Sequence, residues 1–320
     1  MNIRNLEKFI FKDFFEHSKS RRTCSMLTIK LDVVQVHSGW RVFMKCKWIF
    51  LAAAMAVSAV SVHAQTVYTG SEYALIQDVL SKRIELRKTS DIGQALSKVD
   101  SFLSSVHSGS AYGSASREVK IVVDNFLVYS KYNILYERND KDAALKDLVV
   151  KQYRVVEAYR EENKKAVFNP WFYLSSGDIV NSCMQFLSRG EAIKVGLQEK
   201  SDYDSLIKSN PRMSCALINA GLWYYFAPGI GGGSKSKAKD YFLKASQNAS
   251  TSYERYYANI YLSQCLFEGK KSEDCEKYLA MADAAASGTS YVTFIKKLNA
   301  SGYSLFDYIS NKAKLDAKLK

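Results

Sequence analysis

Proline and histidine are both scarce in this sequence of 320 residues, which contains three prolines and four histidines. The prolines are Pro170, Pro211 and Pro228, so long stretches carry no residue that breaks a helix. Only His107 lies beyond residue 64, and the other histidines are His17, His37 and His63. One histidine is too few for zinc sites built from paired ligands, and we expect no metal and no cofactor. His107 lies in a Ser/Gly-rich segment and is interpreted as a solvated loop residue.

Cysteine is also sparse beyond residue 64, and it never forms a C-x-x-C pair. The absence of that pair argues against a metal cluster and against thioredoxin-type redox chemistry. Four cysteines remain there: Cys183, Cys215, Cys265 and Cys275. An even number permits disulfides in an exported protein, and Cys265 and Cys275 flank one predicted turn between helices. The alternative is four buried free thiols, and the sequence leaves the pairing open.

The region from residue 44 to residue 64 has the pattern of an export signal. Lys45 and Lys47 precede an apolar stretch over 48–60, and small residues follow at 62–64. The apolar stretch is shorter than the roughly 20 residues of a membrane span. We therefore predict cleavage, a periplasmic or secreted protein, and no membrane anchor after cleavage; a retained anchor helix is the alternative. Residues 1–43 show no helical or alternating period, and we interpret them as an over-extended N-terminus, with translation starting at Met44.

The net charge of the full sequence is +13. Residues 1–64 carry ten basic and four acidic residues, so the remaining part, 65–320, carries +7. Basic residues in that part alternate with acidic ones, as in RVVEAYREENKK at 154–165. Such mixing is typical of a solvated helix surface, whereas nucleic-acid binding requires a basic face. We expect no nucleic-acid partner.

Helical spacing dominates residues 65–320. Val149, Tyr153 and Val156 recur at i, i+4 and i+7. The segment 117–137 is rich in β-branched residues, which leaves a strand open, but its length and apolar spacing favour a helix. Breaking signals near 140, 170, 210 and 270 divide the chain into about a dozen helices. The sequence predicts an all-α fold.

A repeat is visible in the C-terminal half. A small-large-small pattern at i, i+4 and i+7 occurs twice, as Ala238, Phe242, Ala245 and as Cys275, Leu279, Ala282. The two copies are 37 residues apart, close to the 34 residues of a tetratricopeptide repeat. Gly221 and Ser263 precede them by 17 and 12 residues, so the first copy carries an insertion. We predict antiparallel helix hairpins stacked as a tetratricopeptide-like solenoid over residues 65–320.

The insertion in the first copy is the glycine-rich stretch PGIGGGSKS at 228–236. It is not a P-loop, because Ser234 stands where G-x-x-x-x-G-K-[ST], counted from Gly229, requires glycine, and because no strand precedes it. We interpret it as a loop between helices, in which glycines adopt left-handed conformations and Ser234 caps the next helix.

The segment 228–245 also resembles the T-component family of TRAP-type transporters. The residues that carry the resemblance are Pro228, Gly232, Gly233, Ser234, Ala238, Phe242 and Ala245. It implies an exported all-helical protein with tetratricopeptide repeats that handles hydrophobic or acidic small ligands. It also implies a partner protein, namely a periplasmic solute-binding protein.

Dense aromatic residues indicate where a ligand or partner would bind. GLWYYFAP at 221–228 and NPWFYL at 169–174 hold several consecutive rings, which cannot all face one core. The candidate binding residues are Trp171, Ile218, Leu222, Trp223, Tyr225 and Phe226. Within the segment 221–228 we expect Tyr224 to be buried and Tyr225 to reach the binding surface. Core packing of all these rings is the alternative.

The function predicted from these features is that of an exported, non-enzymatic binding protein, an accessory of TRAP-type solute uptake. A general tetratricopeptide scaffold for periplasmic or envelope assembly is the alternative, and a homo-oligomer is left open. A hydrolase with a carboxylate pair is disfavoured. Its candidates, Glu161 with Glu162 and Glu273 with Asp274, are neighbours on a helix and point about 100° apart.

Overall fold

The computed structural model describes residues 65–319, and within this range the chain is all-α, as predicted. The two predictions on the N-terminus, for residues 1–43 and for the export signal at 44–64, lie outside the described residues. Thirteen α-helices occur in the described range: α1 Gly70–Arg87, α2 Ile92–Ser108, α3 Ser110–Ser114, α4 Arg117–Arg138, α5 Ala143–Glu162, α6 Pro170–Cys183, α7 Arg189–Ser209, α8 Ser214–Phe226, α9 Lys235–Asn248, α10 Ser252–Glu268, α11 Ser272–Ala285, α12 Ser290–Ala300 and α13 Leu305–Leu319.

Three of these helices begin at a reciprocal capping box. The side chain at the N-cap accepts a hydrogen bond from the backbone three residues on, and the glutamate there accepts one from the N-cap backbone. The pairs are Thr69 with Glu72 for α1, Ser188 with Glu191 for α7, and Thr251 with Glu254 for α10. Each cap contributes about 1 kcal/mol, and together they define where three helices of the central cavity begin.

Helix α4 lies in the middle of the N-terminal half, where it packs against α1, α2, α5 and α6. The β-branched segment is therefore a helix, and it is buried on more than one side because so many neighbours surround it. A buried polar chain joins three of these helices. Gln152 on α5 donates to Asn125 on α4 at 2.7 Å, and Asn125 donates to Ser175 on α6 at 3.1 Å. Satisfying these groups in the interior favours one arrangement of the helices.

In the C-terminal half, α8 packs on α9, α9 on α10 and α10 on α11. All six residues of the small-large-small patterns are buried, as the repeat predicts. A Cβ atom on Gly221 would overlap the ring of Phe242, so only glycine lets α8 approach α9 this closely. Helix α1 also contacts α10, which brings the two halves together.

The glycine-rich stretch connects α8 to α9, as predicted. Gly232 has a φ of 96°, in the left-handed region that favours glycine, and Ser234 caps α9 by accepting from the amide of Lys237 at 3.2 Å. A Cβ atom on Gly233 would overlap the carbonyl of Ala227. The loop is thus a tightly folded turn with glycines at the positions that require them.

The four cysteines between residues 65 and 319 are free thiols, so of the two alternatives left open by the sequence the second holds, and Cys265 and Cys275 form no disulfide. One expectation from the sequence is wrong. His107 lies in the last turn of α2 and not in a loop, and its Nε2 is 2.8 Å from Oδ1 of Asp124 on α4. The Ser/Gly-rich segment is short enough for the helix to continue through this histidine.

Candidate functional site: an aromatic cavity between the two halves

A cavity of about 1490 Å³ lies between the two halves of the molecule. It is lined by α1, α4 and α6 on one side and by α7, α8, α10, α12 and α13 on the other. Typical small-molecule sites measure about 300–1,000 Å³, so this cavity has room for a ligand larger than most metabolites. Its lining is rich in aromatic side chains.

One wall of the cavity is a row of tyrosines on α10. Tyr253, Tyr257 and Tyr261 recur every four residues, so they share one face of the helix. Neighbouring ring centroids are 4.8 and 6.1 Å apart. Within residues 65–319, none of the three hydroxyls has a hydrogen-bond partner. The row therefore presents aromatic ring faces and unbonded hydroxyl groups to the cavity. The four-residue spacing of these tyrosines is visible in the sequence, although none of the three is among the predicted binding residues.

The structure brings most of the predicted aromatic residues to this cavity. Its lining includes five of the candidates: Trp171, Ile218, Leu222, Trp223 and Phe226. Trp223 also donates from Nε1 to the carbonyl of Gly196 on α7, at 3.2 Å, which holds the ring at the wall. Tyr224 is buried, as expected, and its hydroxyl donates to Asp204 at 2.6 Å.

Tyr225, the remaining candidate, lies outside the cavity lining. Its ring stacks on Phe306 of α13 with the centroids 3.8 Å apart, and its hydroxyl donates to the carboxylate of Glu268. Lys235 adds a 3.0 Å ion pair to the same carboxylate. Helix α13, which the repeat pattern does not include, covers this ring.

The guanidinium of Arg83 on α1 lies at the cavity wall, with 7% of the side chain exposed. Three rings surround it, those of Phe126, Tyr129 and Tyr253, at 5.0, 5.1 and 5.3 Å from the guanidinium carbon to the ring centroids. Asp178 on α6 is its carboxylate partner within the described part of the chain, at 3.5 Å between Nη2 and Oδ2. Among residues 65–319, Nη1 has no hydrogen-bond acceptor.

Two acids lie near Arg83, the partly exposed Asp178 and the buried Glu199. Burial raises the pKa of Asp178 to about 6, although Arg83 opposes the shift. Burial likewise raises the pKa of Glu199 on α7 to about 8. Glu199 accepts hydrogen bonds from Tyr203 at 2.7 Å and from Asn181 at 2.6 Å. A Cβ atom on Gly177 would overlap the Tyr203 hydroxyl, so this glycine on α6 makes room for the hydrogen bond between Tyr203 and Glu199.

The opening of the cavity combines apolar and basic residues. Leu197, Ile230 and Ile309 line it while remaining 55%, 44% and 37% exposed. Two exposed lysines, Lys297 and Lys314, line the same region. Ile230 comes from the glycine-rich stretch, so that loop does more than connect two helices. It delivers an apolar side chain to the opening.

The acidic pairs considered for hydrolysis lie away from this cavity. Glu162 pairs with Arg117, and Glu161 pairs with Lys164. Between residues 65 and 319 there is no group of three histidine, cysteine or acidic residues that could hold a metal ion. In the same range, no helix has the length and apolar character that crossing a bilayer requires.

No family model matches the chain, and no match is found among the curated proteins or the solved structures compared with it. The cavity and its side chains are therefore the basis for assigning a function.

Proposed function

We propose that this protein is a non-enzymatic binding protein that holds a small molecule with a ring-rich apolar body in the aromatic cavity. The observation that carries the proposal is the cavity itself, about 1490 Å³ in volume and walled by the tyrosine row on α10. Ring faces bind flat apolar groups through stacking and burial, and the free hydroxyls at their edges supply orienting hydrogen bonds.

The reactive groups near the cavity support binding rather than catalysis. Glu199 is hydrogen-bonded to Tyr203 and Asn181, and Asp178 faces Arg83. Burial raises the pKa of the Cys215 thiol well above its ordinary value. A protonated thiol is a poor nucleophile, so Cys215 serves as an apolar wall residue in this proposal.

The proposal includes the architecture and setting that the sequence predicts. Successive packing of α8, α9, α10 and α11, with both small-large-small patterns buried, supports tetratricopeptide-like hairpins stacked as a solenoid. The resemblance around Pro228 supports an exported T-component-like accessory of solute uptake, with a solute-binding protein as partner. N-terminal sequencing of the protein recovered from the periplasm tests the setting, and a start near Gln65 is expected.

N-phenyl-1-naphthylamine, a neutral dye that fluoresces in apolar sites, tests the binding function. We expect saturable binding of one dye per chain with a micromolar Kd. Thr293 is an exposed residue at the opening, and Thr293→Trp should narrow it and weaken dye binding at least fivefold. The matched control is Ser101→Trp on α2, an exposed position outside the cavity lining, which should leave the Kd unchanged. Non-saturable dye binding, or equal effects of both variants, would refute the proposed function.

A further inference from the structure

Arg83 is poorly satisfied for a buried cation. A guanidinium carries five N–H donors and is charged at every relevant pH. Here its carboxylate contact is 3.5 Å long, and Nη1 has no acceptor among residues 65–319. Buried charges in proteins are normally paired and hydrogen-bonded, because leaving them unpaired is costly. The arrangement is that of a cation whose best partner comes from outside the chain.

The surroundings hold Arg83 in place without using its donors. The guanidinium carbon lies 5.0, 5.1 and 5.3 Å from the ring centroids of Phe126, Tyr129 and Tyr253, and cation–π attraction stabilises the charge without supplying a hydrogen-bond acceptor. Tyr253 is also the first ring of the tyrosine row. An anion bound at Arg83 would thus lie at one end of the tyrosine row, next to the apolar body of the proposed ligand.

We propose that Arg83 binds an anionic group, a carboxylate or sulfonate, carried by the ligand of the cavity, and that this group takes the place of Asp178 at the guanidinium. The inference rests on the proposed function, since it names the chemistry of the same ligand. Lys297 and Lys314 give the opening of the cavity positive charge, and this charge attracts an anionic ligand.

Asp178 controls this exchange through its charge. Burial raises its pKa to about 6, so it is ionised at pH 8, where it competes for Arg83, and neutral at pH 5, where it does not. The groups that face Asp178 are Arg83 from α1, Tyr129 from α4, Glu199 and Tyr203 from α7, Cys215 and Asn219 from α8, and Tyr253 from α10. Glu199 is neutral over most of this pH range because its pKa is raised to about 8.

The test uses two dyes with the same rings. 8-Anilinonaphthalene-1-sulfonate is N-phenyl-1-naphthylamine with one added sulfonate, so the pair differs in the anion alone. Titrating the full-length chain with each dye at pH 7.5 should show that Arg83→Met weakens sulfonate binding about tenfold or more and changes neutral-dye binding less than twofold. Asp178→Asn should strengthen sulfonate binding severalfold. Arg117→Met, on an exposed arginine outside the cavity lining, should change neither dye.

A second measurement needs no change at Arg83. For the wild type, sulfonate binding should strengthen about fivefold or more between pH 8 and pH 5, while Asp178→Asn should flatten this dependence. If the neutral dye binds and the sulfonate shows neither an Arg83 nor an Asp178 effect, the anion site is refuted and the proposed function stands. If the neutral dye does not bind, the proposed binding function is refuted, and with it the anion site that rests on it.

Discussion

Gly221 on α8 lies directly against the ring of Phe242 on α9, so close that a Cβ atom at residue 221 would overlap the ring. Phe242 is fully buried, and it is the large residue of the first small-large-small pattern. The contact explains why a glycine stands on α8 opposite this pattern, because a side chain at residue 221 would occupy the space of the Phe242 ring.

Gly221→Ala should destabilise the protein by about 1–3 kcal/mol, because the buried ring of Phe242 must move to admit the methyl group. Urea unfolding followed by circular dichroism measures the change. Gly190→Ala in the first turn of α7 is the control, since a Cβ atom there has nothing within 4 Å and alanine favours the helix. Equal stability of the two variants would contradict the packing.

Tyr225→Ala should destabilise the fold by about 2–4 kcal/mol, because it removes the stack on Phe306 and the hydrogen bond to Glu268. Neutral-dye affinity should change less than twofold, since Tyr225 is outside the cavity lining. Tyr225→Phe keeps the ring and should lose about 1 kcal/mol. A stable Tyr225→Ala variant that no longer binds dye would restore the surface that the sequence predicted.

Ile230→Ser should weaken neutral-dye binding about two- to fivefold with little change in Tm, because the side chain lines the opening while remaining 44% exposed. Met281→Ser is the matched control, since Met281 has the same 44% exposure on α11, outside the cavity lining. Dye titration and thermal unfolding of both variants separate the two effects. Unchanged binding by Ile230→Ser would mean that the loop only connects α8 and α9.

Stability should depend on the ionisation of Glu199. Its folded pKa is raised from about 4.5 to about 8, so the folded protein holds the proton more tightly than the unfolded chain does. This contribution is fully present below pH 4.5 and is lost as the pH rises to 8. Between pH 5 and pH 8.5 the wild type should lose roughly 2–4 kcal/mol relative to Glu199→Gln, which mimics the neutral acid.

The measurement is urea unfolding at several pH values. Glu276→Gln, at a side chain that is 61% exposed, should follow the wild type across the range. Parallel curves for Glu199→Gln and the wild type would show that the buried acid is ionised in the folded protein at neutral pH.

The helical fold class and several breaks between helices follow from local rules. Apolar spacing, glycines and the few prolines act over one or two turns, so the sequence predicts these features without knowledge of the fold, although the end of α2 just beyond His107 is not among them. The burial of the repeat positions follows in the same way, because small and large residues at i, i+4 and i+7 create a contact surface for the next helix. The loop at 228–234 was predicted from its glycines, since left-handed backbone is a property of single residues.

The aromatic candidates illustrate where such local rules end. Three of the four line the cavity, Trp171, Trp223 and Phe226, because segments dense in aromatic residues present several rings on one side. Tyr225 does not, because α13 covers it, and no property of the segment 221–228 shows which later helix will pack there. The same holds for Cys265 and Cys275, whose separation depends on the relative placement of α10 and α11.

The sequence by itself determined that this protein is helical, that a glycine-rich loop separates α8 from α9, and which repeat positions are buried. Only the tertiary structure decided the binding site. Arg83, Asp178 and Tyr253 lie on α1, α6 and α10, far apart in the sequence. They meet because α1 packs against α10 and closes the cavity, and a contact between distant helices depends on the summed packing of the whole chain rather than on any local pattern.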